Sequence, residues 1–218
     1  MPAKANALNI SRHFTESGKD PFDKLSWSKR DVEIRNFDGS IAFSMKDVNL
    51  PDNYSQVAAN VLAQKYLRKA GIPKKLRKVK EKAVPSWLQR SVPDLKSMVD
   101  ISEEEKFGEE IDGKQTFRRL AGTWTYWGWK HGYFASEEDA KAYFDEMCYM
   151  LAFQMVSPNS PQWFNTGLNW AYGIEGPAQG HYFVNPKTGD LERSVNAYEH
   201  PQPHACFIQS VSDDLVNE

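Results

Sequence analysis

Cysteine is scarce: the 218 residues hold two, Cys148 and Cys206. Two thiols make no disulfide framework, which excludes a cross-linked secreted scaffold and fits a reducing, cytoplasmic setting. No apolar run approaches the roughly 20 residues that a membrane-spanning helix needs. The opening Met1-Pro2-Ala3-Lys4-Ala5-Asn6 lacks the apolar stretch of an export signal. Neither charge sign is in surplus. With 27 Lys and Arg against 29 Asp and Glu, the net charge of −2 gives no overall pull toward nucleic acid or membrane. What the chain does have is 40% hydrophobic residues, among them seven Trp and twelve Phe, enough to bury the core of one or two domains.

Taken in order, residues 1–30 are polar without sustained periodicity and read as a mobile arm, anchored by one or two of Phe14, Phe22 and Trp27. Val32 and Ile34, then Phe37-Asp38-Gly39-Ser40, then Ile41, Phe43 and Met45 alternate around an Asp-Gly turn, the signature of a β-hairpin. A helix is expected over residues 54–70, with Val57, Val61, Leu62 and Tyr66 on its apolar face and Gly71 and Pro73 closing it. The basic run Lys74, Lys75, Arg77, Lys78, Lys80 and Lys82 admits a phosphate or nucleic-acid reading. No aromatic residue interleaves the charges, which favours a solvated connector. Pro85, Pro93 and Ser102-Glu103-Glu104-Glu105 mark a connecting segment over 83–112.

A helix follows from Gln115 through Phe117, Leu120, Ala121 and Trp124 into the cluster Trp124, Tyr126, Trp127, Trp129, Tyr133 and Phe134. That cluster suits either a wedge in the core, the favoured reading, or a stacking surface for a base or corrinoid. Ser136-Glu137-Glu138-Asp139 opens a further helix with a serine cap and acidic first turn. Ala140, Phe144, Met147, Cys148, Leu151 and Met155 define its apolar face, so Cys148 is expected to be a buried, inert thiol.

Chemistry concentrates in the last quarter. Residues 157–167 form a loop in which Pro158 and Pro161 add rigidity. Asn159, Ser160, Asn165 and Thr166 supply donors and acceptors suited to phosphate or sugar hydroxyls. Residues 169–203 are irregular, with a small surface hairpin between Tyr182-Phe183-Val184 and Leu191. His200, His204 and Cys206, with His181, could ligate zinc, but the tight spacing and the strand-like run at 205–208 disfavour a metal site. Spacing alone leaves Cys206 either inert or redox-active.

Several strings resemble the class II, adenosylcobalamin-dependent ribonucleotide reductases. They are Ser157-Pro-Asn-Ser-Pro-Gln-Trp-Phe-Asn-Thr-Gly-Leu168, Glu199-His-Pro-Gln-Pro-His-Ala-Cys-Phe-Ile208 and Ser210-Val-Ser-Asp-Asp-Leu-Val-Asn217. Ser55-Gln56, Gln64-Lys-Tyr-Leu-Arg-Lys-Ala-Gly71 and Leu120-Ala-Gly-Thr-Trp-Thr-Tyr-Trp-Gly-Trp129 resemble the N-terminal part of the same enzymes, so the likeness covers roughly residues 25–218.

The resemblance implies an α+β fold: a mostly helical N-terminal region with a β-hairpin (31–135), leading at 136–218 into the first strand of a ten-stranded α/β barrel. It implies that Ser160 belongs to the substrate-binding loop, that Ala205 is a backbone contact beside the ribonucleotide, and that Cys206 is both a substrate contact and the first redox cysteine. The family's cofactor is adenosylcobalamin, its site expected mostly outside this chain. Expected partners are a ribonucleotide substrate, the remainder of the reductase chain and a thioredoxin- or glutaredoxin-type reductant. The full enzyme can be a homodimer; neither nucleic acid nor a membrane is expected. Ser212-Asp213-Asp214-Leu215 reads as a helix start, so a fragment is expected, with the second redox cysteine and the radical-bearing cysteine beyond Glu218 and no activity in isolation. The competing reading is a non-catalytic nucleotide-binding or assembly module.

Overall fold

The computed structural model describes residues 7–178, 180–185 and 188–201. The architecture is α+β, with four two-stranded antiparallel sheets among the described residues. No barrel is formed by them, and the expected first barrel strand at 205–208 lies outside the described residues.

The hairpin pairs β1 (Trp27–Arg35) with β2 (Ile41–Pro51). The alternation Ile41, Phe43, Met45 would continue inward at Asp47, and a bulge prevents this. Residues 46 and 47 together oppose Asp31, Asp47 takes φ +54°, and its N–H donates to Asp31 Oδ1 at 3.1 Å. The extra residue resets the pleat, so Met45, Val48 and Leu50 all face the core.

The expected helix over 54–70 is shorter and differently phased. Ser55 caps α1 (Gln56–Val61), its Oγ accepting from the Ala58 N–H at 3.1 Å. The chain then widens into a π-helical turn, Leu62–Tyr66, in which the Leu67 N–H donates to the Leu62 carbonyl at 3.0 Å. A five-residue turn puts Leu62 and Leu67 on one side, where α spacing predicts Leu62 with Tyr66. Ala59, Leu62, Ala63 and Leu67 are therefore buried, and Val57 and Val61 are exposed.

The segment expected as a connector carries short ladders. β3 (Ile72–Pro73) pairs with β6 (Phe107–Gly108), and β4 (Leu76–Lys78) pairs with β5 (Ser91–Pro93). Two of its basic side chains are engaged in the fold: Lys75 donates to the Ser97 carbonyl at 2.8 Å and Lys78 to the Gln89 carbonyl at 2.6 Å.

The core is carried by α2 (Gly113–Lys130) and α3 (Glu137–Ala152). Asp112 and Gln115 form a capping box at the start of α2, and Ser136 caps α3 by accepting from the Asp139 N–H at 3.1 Å. Phe117, Leu120 and Ala121 of α2 meet Cys148, Leu151 and Ala152 of α3 over the hairpin's Val32, Val48 and Leu50. Met155, expected on the face of α3, falls beyond its end and is exposed.

Residues 7–25 form a strap, of which 10–15 lie against α3 and Asp20 and Phe22 against α2. The N–H groups of His13, Phe14 and Thr15 and the Thr15 hydroxyl all donate to Glu146 Oε1 at 2.7–3.1 Å. The Ile10 N–H reaches Asp139 at 2.7 Å, Arg12 bridges Glu138 and Asp145, and Phe22 is buried. The anchoring is thus polar as much as aromatic, and β1 begins at Trp27, inside the stretch expected as arm.

Candidate functional site

The stretch 157–167, expected as a loop, is extended only to Asn159 and then forms the short helix α4 (Ser160–Asn165). Pro161 sits in the first turn, where a missing N–H costs nothing and a fixed φ favours the helix. Trp163 roots the turn. It is 5% exposed, its indole N–H donates to the Pro158 carbonyl at 3.0 Å, and the Tyr66 ring stacks on it at 5.0 Å between centroids. Ser160 remains exposed, its Oγ 3.2 Å from the Tyr66 hydroxyl.

Beneath α4 lies a buried ion pair that the sequence reading did not find. Arg119 of α2 and Glu110 are both fully buried side chains, joined through Nε to Oε1 at 2.9 Å and Nη2 to Oε2 at 3.1 Å. The remaining guanidinium donors run to backbone: Nη1 to the Trp163 and Thr166 carbonyls at 3.0 and 2.7 Å, and Nη2 to the Tyr66 carbonyl at 3.4 Å. Glu110 in turn accepts from the Arg68 N–H, the Thr116 hydroxyl and the Tyr172 hydroxyl at 2.7–2.8 Å. Burial alone would push this carboxyl up. The charge and hydrogen bonds of Arg119, with the Arg68 amide and Tyr172, outweigh it and hold Glu110 below its ordinary value. Burial first, then the Glu110 charge, drives the Tyr172 phenol well above its ordinary range. A visible signal did exist in the sequence: an arginine set between Phe117 and Leu120 on an apolar helix face.

At Gly167 the chain turns from α4 into α5 (Leu168–Tyr172) with φ +85°. A Cβ there would lie 2.4 Å from the Arg119 carbonyl, so only glycine lets the turn close onto α2. α5 is also regular structure within a stretch expected to be irregular; beyond it, β7 (Tyr182–Val184) and β8 (Leu191–Arg193) form the expected hairpin.

The aromatic cluster divides its work. Phe134 packs directly on Gly128 and Trp124 against the core, but none of the six aromatics is fully buried; Trp170, outside the cluster, packs on Gly122. Trp124, Trp127, Phe134, Leu8, Ile10 and Met147 also line an apolar groove of about 840 Å³. The polar residues on these walls are few, His131, Tyr133, Tyr143 and His200 beside the two indoles, and a corrinoid, whose rim carries many amide groups, does not fit such a groove.

Of the expected site residues, Ser160 is placed on α4, while Ala205 and Cys206 lie outside the described residues, as does His204 of the zinc alternative. His200 stacks on Phe183 at 4.2 Å, and no group of three or more metal-ligating side chains occurs among the described residues. Cys148 is fully buried and burial pushes its thiol far up, which bears out the inert reading. No helix among the described residues is long and apolar enough to cross a membrane.

Comparison with known proteins places this geometry in a family. The family model of the class II vitamin B12-dependent ribonucleotide reductase matches residues 28–154, which run from β1 past the end of α3. The chain is 59% identical over 211 residues to a vitamin B12-dependent ribonucleotide reductase of Agrobacterium fabrum, covering 97% of this chain and 17% of that one. A protein of the same name from Bradyrhizobium diazoefficiens is 58% identical over the same share of each chain. One from Streptomyces avermitilis is 32% identical over 75% of this chain and 14% of its own. The chain belongs to the class II, vitamin B12-dependent ribonucleotide reductases. It spans 17% of the length of the two relatives most like it among these three.

Proposed function

We propose that this chain acts as the N-terminal part of a ribonucleoside-diphosphate reductase, holding the ribonucleotide with the Ser160 turn and reducing it with Cys206. The observation that carries the reading is an exposed serine hydroxyl on a turn whose carbonyls are fixed by a fully buried guanidinium. A substrate contact must be held to a fraction of an ångström if binding is to lower the barrier, and such a footing supplies that rigidity.

In this reading Ala205 offers backbone to the ribose and Cys206 is one of two thiols. Together the thiols give up two electrons and two protons: the ribose 2′ C–O bond is replaced by C–H, the oxygen leaves as water, and a disulfide forms. Adenosylcobalamin, held by the remainder of the reductase chain, would supply the radical chemistry. A thioredoxin- or glutaredoxin-type dithiol restores the pair, in the cytoplasm, and the complete enzyme works as a homodimer. Residues 31–135 serve as the hairpin and helical region, and residues 136–218 begin the barrel domain that brings Cys206 to the substrate.

The test is turnover by the complete reductase containing this chain. Cys206→Ser should abolish deoxyribonucleotide formation with a dithiol reductant while leaving nucleotide binding intact. Full turnover in that variant would overturn the role of Cys206. The alternative of a binding or assembly module resting on the basic run 74–82 is weakened by the carbonyl contacts that occupy Lys75 and Lys78.

A further inference from the structure

The geometry points to Tyr66 as a positioning residue that aims the Ser160 hydroxyl at the nucleotide, an inference that rests on the substrate-loop reading of Ser160. The two side chains come from segments 94 residues apart and meet at 3.2 Å on the exposed side of α4. A serine hydroxyl has one hydrogen and two acceptor sites. The phenol is the more acidic of the two groups, so the favoured arrangement has Tyr66 donating to Ser160 Oγ. The serine hydrogen is then free to point outward, to an acceptor oxygen on the substrate. Donation by the phenol also polarises the serine O–H and makes it a stronger donor to an anionic phosphate or a ribose oxygen.

Neither partner is free to drift. The Tyr66 ring stacks on Trp163 at 5.0 Å with an interplanar angle of 20°, and Trp163 belongs to the same helix as Ser160. The backbone carbonyls of Tyr66, Trp163 and Thr166 all accept from the one Arg119 guanidinium. The tyrosine and the short helix that carries the serine are thus joined twice, by stacked rings and by carbonyls on one guanidinium. Tyr66 is also the last residue of the π-helical turn, which swings its side chain away from Leu62 and toward α4.

The test uses the complete reductase and the probes ADP, GDP, CDP and UDP, measuring equilibrium affinity, KM and kcat. Tyr66→Phe keeps the ring on Trp163 and removes only the hydroxyl. Loss of one neutral hydrogen bond predicts a rise of about threefold to tenfold in Kd and KM, with kcat within about twofold and an unchanged melting temperature. Ser160→Ala should raise KM by at least as much. The double variant should be no worse than Ser160→Ala alone, since the phenol acts only through the serine. Unaltered affinity in Tyr66→Phe alongside weakened affinity in Ser160→Ala would overturn the inference and leave the Ser160 reading standing. Additive losses would overturn it as well, by giving Tyr66 a separate role. Unaltered affinity in Ser160→Ala would overturn the substrate-loop reading itself, and with it the role of Tyr66.

Discussion

Arg119 shows what a single side chain can hold in this molecule. Its partners lie on four segments: Glu110, the end of the π-helical turn, α4, and the turn into α5. Removing it strands the Glu110 carboxylate in the core, and an uncompensated buried charge costs about 3–5 kcal/mol. Arg119→Met should therefore lower the urea midpoint sharply, whereas Arg119→Met with Glu110→Leu should recover much of the loss. A single variant as stable as the parent would show that the pair carries no load. Such pairs are hard to see in a sequence. Arg119 was visible as an oddity on an apolar face, but its partner Glu110 sits in a polar run, Gly108-Glu109-Glu110, where nothing separates it from its exposed neighbour.

At the scale of elements, sequence patterning was informative wherever local chemistry decides structure. The Asp38-Gly39 turn, the Ser136 cap and the apolar face of α3 up to Leu151 all came out as expected, because each depends on residues a few positions apart. The helix expected over 54–70 failed because the π-helical turn at Leu62–Tyr66 inserts one residue into the period, and a fixed period carries every later residue to the wrong face. The bulge at Asp47 does the same to the strand beyond the expected alternation. The contact between α2 and α5 depends on a glycine that has no periodic signature. A Cβ on Gly122 would sit 2.1 Å from Trp170 Cη2. Alanine gains up to about 1 kcal/mol of helix propensity over glycine, but forcing the indole away costs more, typically about 1–3 kcal/mol in a packed site. Gly122→Ala should lower the melting temperature by up to about 4–8 °C, for a net loss of up to about 2 kcal/mol; calorimetry showing a rise would mean that the indole moves freely.

On the scale of the whole molecule, the strap at 7–25 ties the beginning of the chain to α3 through carboxylates, which makes the tie sensitive to acid. Burial acts to raise the Glu146 carboxyl, but the Thr15 hydroxyl and the amides of Phe14, Thr15 and His13 outweigh it and hold it below the ordinary value of 4.5. A carboxyl depressed in the folded state contributes stability that is fully present above the unfolded value and is lost as pH falls through the folded one. Hydrogen exchange at His13, Phe14 and Thr15, corrected for intrinsic pH dependence, should stay slow near neutrality. It should quicken once the pH drops below about 4.5, before α2 and α3 open. Protection that persists to the pH of global unfolding would show that aromatic contacts, not Glu146, hold the strap. In sequence the polar strap reads as a mobile arm with aromatic anchors, because its carboxylate partners are more than 120 residues away, beyond any local pattern.

The buried guanidinium has one more consequence, for the order of folding. Its acceptors lie 9, 44, 47 and 53 residues away along the chain. Contacts that close long loops pay their entropy before they return any free energy, so they form late. The Ser160 turn therefore matures only after α2 has docked and the segment from residue 66 has come round to it. A chain stalled halfway through folding has its helices but no fixed Ser160 turn.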